Sequence, residues 1–289
     1  GLPPWTRFKL GILRVLYRLF PYLDGTLSFD RFCISSDHVR KNFQDAFRIP
    51  DRKMLTVGQP RNDCLNPEYS LRPALFPERS TLEQLTKDDA KLVAWLPTFR
   101  RLAGFSAVNL LWDYGFDETE WARLLEDLNL HLVIKPHPKE HHALVSRLRA
   151  TGRVHVYEYH DPYPLLRYTD VLMTDYSSVF FDYLLRDRPL IFTPFDYDDY
   201  RNYSGEFYYD YDRITPGPKC RDWKEVLRQL DLICRKQAPG VVGEYAAHRE
   251  EVCRRFNRFS DGFSARILKE FCSTGVAGGD RNMARVKSK

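Results

Sequence analysis

The sequence predicts an α/β fold organised on a parallel sheet. Short apolar runs at 91–96, 130–134, 154–157, 171–174 and 190–193 recur through the second half of the chain. Segments with helical patterning separate them, and this alternation is what βαβ units produce. A hydrophobic share of 43% against 29% charged residues excludes wholesale disorder and a polytopic membrane protein. Sheets of this kind bind ligands beyond the carboxyl ends of their strands, so the residues just past each run are the ones to read for function.

Taken in order, residues 5–20 form a basic amphipathic helix, with Arg7, Gly11, Arg14 and Arg18 on one stripe and Pro21 ending it. Such a helix suits an anionic membrane surface. With Lys9 on its apolar side, it suits packing on its own protein as well. A β–α–β pattern follows: a strand at 31–35, a helix capped by Ser36 or Asp37 and running to Phe47, a strand at 54–57, and a turn at 58–63. Residues 64–90 are rich in Pro, Glu and Asp and lack a strong period before 81–87, which places a domain boundary there. Beyond it the strands already named alternate with helices at 139–151, 162–168 and 178–185, closed by helices at 223–236 and 241–256. The tail from Thr274 reads as flexible. The expected organisation is therefore a partial N-terminal domain at 1–70, a linker at 71–90, a sheet domain at 91–272 and a tail at 273–289.

Lysine plus arginine number 44 against 39 acidic residues, a mild excess that suits an anionic ligand but is too small for a nucleic-acid binder. The six cysteines are scattered without a CxxC pair, which gives no support to a disulfide framework or zinc site and is simplest in a reducing cytoplasm. No apolar run is long enough to span a membrane, and nothing at the start reads as a secretory signal. The chain begins at Gly1 rather than Met, so further sequence is expected upstream.

Three strand ends carry chemistry. The run 171–174 leads into Asp175-Tyr176-Ser177-Ser178 and then a helix, whose free N–H groups and two hydroxyls form an anion site; the same residues also serve as a plain N-cap. The run 130–134 delivers Lys135 and His137 into a turn fixed by Pro136 and Pro138, where an imidazole could donate to a phosphate or protonate it; a satisfied structural histidine is the alternative. The run 91–96 leads to Thr98 and Arg100, a hydroxyl donor and a bidentate clamp for phosphate. In a parallel sheet these three ends converge on one rim. His137-x-x-Glu140-His141 matches an inverted zincin formally, but a histidine between two prolines at a strand end has the wrong geometry for it. The acidic and tyrosine-rich stretch 195–212 lacks calcium-loop spacing and reads as a ligand-facing loop or a domain seam. Walker A, GxGxxG and GxSxG patterns are all absent.

At these residues the sequence resembles the CDP-glycerol glycerophosphotransferase family of teichoic acid and capsule polymerases and primases. The matching segments are GQPRND at 58–63, PTFR at 97–100, KPHP at 135–138, DVLMTDYSSVFFD at 170–182, RPLIFTPFDYDDY at 188–200, TPGP at 215–218 and Asp261-Gly262. The resemblance implies a GT-B-like arrangement, with a Rossmann-like donor domain beside the end of a truncated acceptor domain. It implies that Arg100, Lys135, His137, Ser177 and Ser178 surround the pyrophosphate of a CDP-polyol, with Thr98 and Asp175 close by and His137 catalytic. No cofactor is implied as required, although Mg²⁺ would be compatible. Family members also share a Trp-His-Gly motif whose histidine is thought to act as base on the acceptor. This sequence has none, and His38, inside a capped helix start, is a poor substitute; the base is expected upstream of Gly1. The implied activity is transfer of glycerol phosphate from CDP-glycerol to a growing polymer or lipid-linked primer at the cytoplasmic face of a bacterial membrane, with release of CMP. A CDP-ribitol transferase, a nucleotide-sugar GT-B glycosyltransferase and a non-catalytic nucleotide-binding module remain the alternatives.

Overall fold

The computed structural model describes residues 29–70, 72, 76–100, 106–137, 139–140, 142, 144–145, 148, 152–204, 207–235, 243 and 245–275. The basic helix expected at 5–20, most of the helix expected at 139–151 and the tail beyond 275 lie outside the described residues. The chain divides into two compact units, one of residues 1–60 with 262–289 and one of residues 61–261. The division falls at Pro60/Arg61, earlier than the linker expected at 71–90, and the chain from Gly262 onward joins the first unit. Residues 61–70 belong with the second because their side chains and carbonyls are bonded there: Arg61 and Asn62 to Asp182, and the carbonyls of Pro67 and Tyr69 to Arg167. Part of the expected linker is helical, as α2 below.

The first unit holds the expected β–α–β element. Strands β1 (Phe32–Ile34) and β2 (Met54–Thr56) pair in parallel, and helix α1 (Arg40–Phe47) connects them after a short 3-10 turn at Asp37–Val39. Ser36 occupies the cap position but makes no capping bond with its side chain. Asp37 instead accepts from Arg40 at 2.8 Å and from the Thr56 hydroxyl at 2.5 Å, tying the helix start to the second strand. Gly58, with φ +85°, turns the chain after β2 and donates its N–H to Ile34 O at 3.0 Å. A Cβ there would sit 2.1 Å from Cδ1 of Phe263. That closeness is why the start of the C-terminal helix packs with the first unit.

The second unit is a five-stranded sheet, parallel throughout, in the order β5-β4-β3-β6-β7. The strands are β3 (Lys91–Leu96), β4 (Leu130–Ile134), β5 (Val154–Val156), β6 (Thr169–Thr174) and β7 (Leu190–Phe192). The helices around it are α2 (Arg79–Leu85), α3 (Ala107–Trp112), α4 (Glu118–Asp127), α5 (Tyr163–Tyr168), α6 (Val179–Tyr183), α7 (Tyr197–Ser204), α8 (Tyr211–Ile214), α9 (Trp223–Arg235) and α10 (Ala246–Phe256); α11 (Phe263–Gly275) belongs to the first unit.

Both faces of the sheet are covered, so β3 is buried from Leu92 to Leu96 and reads as one apolar run. One face carries Val93, Trp95, Leu132, Ile134, Val171 and Met173 into a core with Trp121, Leu125, Trp223 and Leu230 of the helices. Trp223 meets Trp95 edge-on at 4.8 Å and donates its ring N–H to Leu110 O at 2.7 Å, so the indole is buried without an orphaned donor. Among the described residues no helix is long and apolar enough to cross a membrane.

Two predictions follow from packing. Gly58→Ala forces both an unfavourable φ and a clash with Phe263, and should cost about 1–3 kcal/mol in urea unfolding. On neighbouring strands, Nδ1 of His131 and Nε2 of His155 lie 3.0 Å apart, a bond that needs one ring neutral. Burial, then the neighbouring His131, pulls His155 from its ordinary 6.5 down to about 4. Because the folded value is the lower one, this stability is full above pH 6.5 and is lost as pH falls toward 4. The melting temperature should drop across that window, and less steeply in His155→Asn.

Candidate functional site

In sequence order the five strands double back at the β3/β6 junction, so that chain connections leave it in opposite directions. Such a reversal opens a crevice at the carboxyl ends. The segments carrying Thr98 and Arg100 leave β3, those carrying Asp175, Ser177 and Ser178 leave β6, and Lys135 and His137 follow β4 on the other side of β3. The convergence expected from the sequence is therefore present.

The junction is closed by hydrogen bonds across it. The Thr174 hydroxyl donates to Leu96 O at 2.6 Å. Asp175 accepts from the Thr98 N–H with both oxygens, at 2.9 and 3.1 Å, and from the Thr98 hydroxyl at 2.6 Å. Arg100 turns inward. Its Nε and Nη2 form a bidentate pair with Asp196 at 2.8 Å each, and its Nη1 lies 2.8 Å from Asp175 and also meets the Thr98 carbonyl. The Arg100 side chain is 3% exposed and those of Asp175 and Asp196 are 1% exposed. Burial works against the guanidinium charge, but the two aspartates outweigh it and raise the pKa of Arg100.

Tyr176 and Tyr200 stack at 3.9 Å, each with its ring centroid 5.0 Å from the Arg100 guanidinium carbon. The Tyr176 hydroxyl donates to Asp196 at 3.1 Å and the Tyr211 hydroxyl to Asp175 O at 3.0 Å. Burial, then the nearby aspartates, keeps both phenols protonated well above their ordinary range. The acidic, tyrosine-rich stretch read as a loop or seam thus contains α7 and the start of α8 and supplies Asp196, one of the two counter-charges of Arg100.

His137 is half-buried, its ring 4.1 Å from that of Phe99. Its Nδ1 accepts the Lys139 N–H at 3.3 Å, which assigns the ring proton to Nε2 when the imidazole is neutral. Glu140, from the formal zincin match, accepts the Ala107 N–H at 2.9 Å, and burial raises its pKa. Among the described residues no three His, Cys, Asp or Glu side chains converge as metal ligands. Lys135 leans toward β5, donating to Tyr159 O at 3.1 Å with its ammonium 5.6 Å from the Tyr157 ring centre; burial lowers its pKa. Ser177 is half-exposed and accepts the Val179 N–H at 3.4 Å, while Ser178 is exposed.

Residue-by-residue reading of the sequence missed a second buried carboxylate. Asp182 of α6 accepts from Arg61 Nη2 at 3.1 Å, from Asn62 at 2.9 Å and from the Tyr163 hydroxyl at 2.5 Å. The signal was present, since Arg61, Asn62 and Asp182 all lie in segments that carry the family resemblance. Their spacing of 120 residues along the chain hid the contact.

A doubly wound parallel sheet, with hydroxyls at its reversal point and an imidazole one strand away, defines an α/β protein of the GT-B-like class. The chain belongs to the family described as CDP-Glycerol:Poly(glycerophosphate) glycerophosphotransferase, whose model matches residues 23–272. It is 31% identical over 201 residues to the teichoic acid poly(ribitol-phosphate) polymerase of Bacillus spizizenii, covering 68% of this chain and 31% of that one. It is 28% identical over 225 residues to the teichoic acid glycerol-phosphate transferase of Staphylococcus aureus, covering 76% of this chain and 54% of the relative. The chain therefore spans between about a third and about half of the length of these relatives. The wall teichoic acid polymerase TagF has the same fold, with a TM-score of 0.68 at 23% identity over 89% of this chain and 60% of that one.

Removing the guanidinium would leave Asp175 and Asp196 buried side by side. Arg100→Ala should destabilise the protein by about 3–5 kcal/mol in urea unfolding, and Arg100→Lys should recover only part, because an ammonium cannot make the bidentate pair.

Proposed function

We propose that the chain carries the donor-binding part of a polyol-phosphate transferase, moving glycerol phosphate from CDP-glycerol to a hydroxyl of a teichoic-acid- or capsule-type polymer or of a lipid-linked primer. The observation that carries this reading is the convergence of His137, Ser177 and Ser178 at the carboxyl ends of β4 and β6, flanking the β3/β6 reversal, in a chain of this family. The acceptor oxygen attacks the phosphorus that bears glycerol, and the bond from that phosphorus to the bridging oxygen of CMP breaks. CMP leaves with the electron pair. Nε2–H of His137 donates to the departing phosphate oxygen, and the serine hydroxyls stabilise charge on the non-bridging oxygens.

Arg100 acts in this reading as a positioning residue, fixing Thr98 and Asp175, because its own donors are directed to Asp175, Asp196 and the Thr98 carbonyl. Lys135 supports the β5 side of the site. The base that takes the proton of the acceptor would come from sequence beyond this chain. A bacterial protein working at the cytoplasmic face of the membrane fits a lipid-linked or polymeric acceptor, with the basic segment 5–20 as its contact to anionic lipid. A ribitol donor is the second reading, favoured by the 31% identity to a ribitol-phosphate polymerase.

Calorimetry with CDP-glycerol, CDP-ribitol, CDP and UDP tests this. Cytidine nucleotides should bind in preference to UDP, the two CDP-polyols should rank the donors, and His137→Ala should weaken CDP-glycerol roughly tenfold or more. Equal or better binding of UDP would overturn the polyol-phosphate reading in favour of a nucleotide-sugar transferase. Binding without CMP release, in a longer protein supplied with acceptor, would leave a non-catalytic module.

A further inference from the structure

The edge of the sheet opposite the donor rim carries a cavity that the proposed reaction does not use. Its volume is about 520 Å³, within the roughly 300–1,000 Å³ of small-molecule sites. Its walls come from the end of α2, from α4 and from the residues that lead into β3, β4 and β5. In a parallel sheet those amino ends lie a strand's length from the carboxyl ends, roughly 20 Å along β3.

The walls are tied together through Asn129. Its side-chain amide donates to Asp88 O at 3.0 Å and accepts from Arg153 Nη1 at 3.3 Å, and the same Nη1 donates to Leu130 O at 3.2 Å. Asp88 and Asn129 both hold a left-handed backbone, with φ of +55° and +49°, which Asp and Asn tolerate better than most residues. Arg153 is thus half-buried and fixed, yet among the described residues it makes no ion pair and its Nε and Nη2 have no partner. Lys87, exposed on the same wall, makes no ion pair among them either. His131 is engaged at Nδ1 by His155 at 3.0 Å and keeps Nε2 for another partner. A Cβ at Gly152 would meet nothing within 4 Å, so no side chain fills the space in front of it.

Asp88 and Glu126 line the same cavity without pairing with those cations, and its apolar lining is Ala90 and Ala122. So polar a lining disfavours an apolar ligand, and the two carboxylates oppose a bare anion. It suits a molecule with an anionic group for the guanidinium and ammonium at one end and hydroxyls that donate to the carboxylates at the other. We propose that this cavity is a second binding site of the chain, for a phosphate ester of a polyol. For the source of the ester, a free small molecule or a repeat of a polyol-phosphate polymer, the inference rests on the polyol-phosphate reading above.

Calorimetry of the 289-residue chain with sn-glycerol 3-phosphate tests the site. The ester should bind the wild type more tightly than inorganic phosphate or glycerol does. Lys87→Ala and Arg153→Gln should each weaken it roughly tenfold or more, with melting temperatures held against the wild type to exclude misfolding. CDP should bind Lys87→Ala as it binds the wild type, and His137→Ala should leave the ester's affinity unchanged. An oligomer of glycerol phosphate that binds more tightly than the monoester would assign the site to polymer, and equal affinity to a free ester. Wild-type ester affinity in both cavity variants would overturn the site, as would loss of ester binding in His137→Ala, which would move the ester to the donor rim. Inorganic phosphate or O-phosphoethanolamine binding as tightly as the ester would overturn the polyol assignment, and no ester binding by the wild type would overturn the whole. Failure of CDP to bind would strike the donor reading alone, since the cavity variants report on the ester by themselves.

Discussion

One guanidinium and two carboxylates, all but sealed from water, hold the ends of three strands together. Arg100 follows β3, Asp175 follows β6 and Asp196 follows β7, and each would be costly to bury alone. Grouped, they leave one net negative charge in the interior, spread over hydroxyls and backbone N–H groups from Thr98 and Tyr176. A packed apolar cluster could give comparable stability at that point. What it could not give is direction: the bidentate pair and the hydrogen bonds from the Thr98 N–H and hydroxyl to Asp175 fix where each loop leaves the sheet.

The serine-bearing turn depends on that fixation and on a second one. Ser177 and Ser178 lie between Asp175, held from the β3 side, and Asp182, held by Arg61, Asn62 and Tyr163. Both ends of the segment are pinned by buried carboxylates while the two serines between them stay accessible. The sequence motifs that resemble the family are in this sense contact partners: the arginine and asparagine of one segment close on the final aspartate of another.

How much of this could be read beforehand follows from which signals are local. Strands β3 and β4 fall where the apolar runs place them, 91–96 and 130–134, because burial on both faces makes the whole run apolar. The convergence of three strand ends on one rim also follows from alternation in a parallel sheet, whereas the strand order, and with it the reversal at β3/β6, comes only from the fold. The short helices α3 and α4 had no expectation, although Asp117 caps α4 by accepting from Thr119 and Glu120. The linker was misplaced because Pro- and Glu-rich composition describes exposure rather than connectivity. Arg100 reads locally as a phosphate clamp; only the fold brings up Asp196, 96 residues on, to occupy it.

The central position of β3 also bears on how the chain comes to be folded. Its neighbour on one side, β4, follows after about forty residues, but Leu96 on the other side waits for Thr174, 78 residues later. During synthesis the first βαβ unit can assemble while one flank of β3 still lacks its partner. Closing that flank brings distant segments together, a slow kind of step. The charged triad can be completed only when β6 and β7 have both arrived. A nascent chain stopped before residue 196 would carry an arginine bound for the interior with half of its counter-charge missing, which makes the carboxyl-end rim one of the last parts of the domain to set.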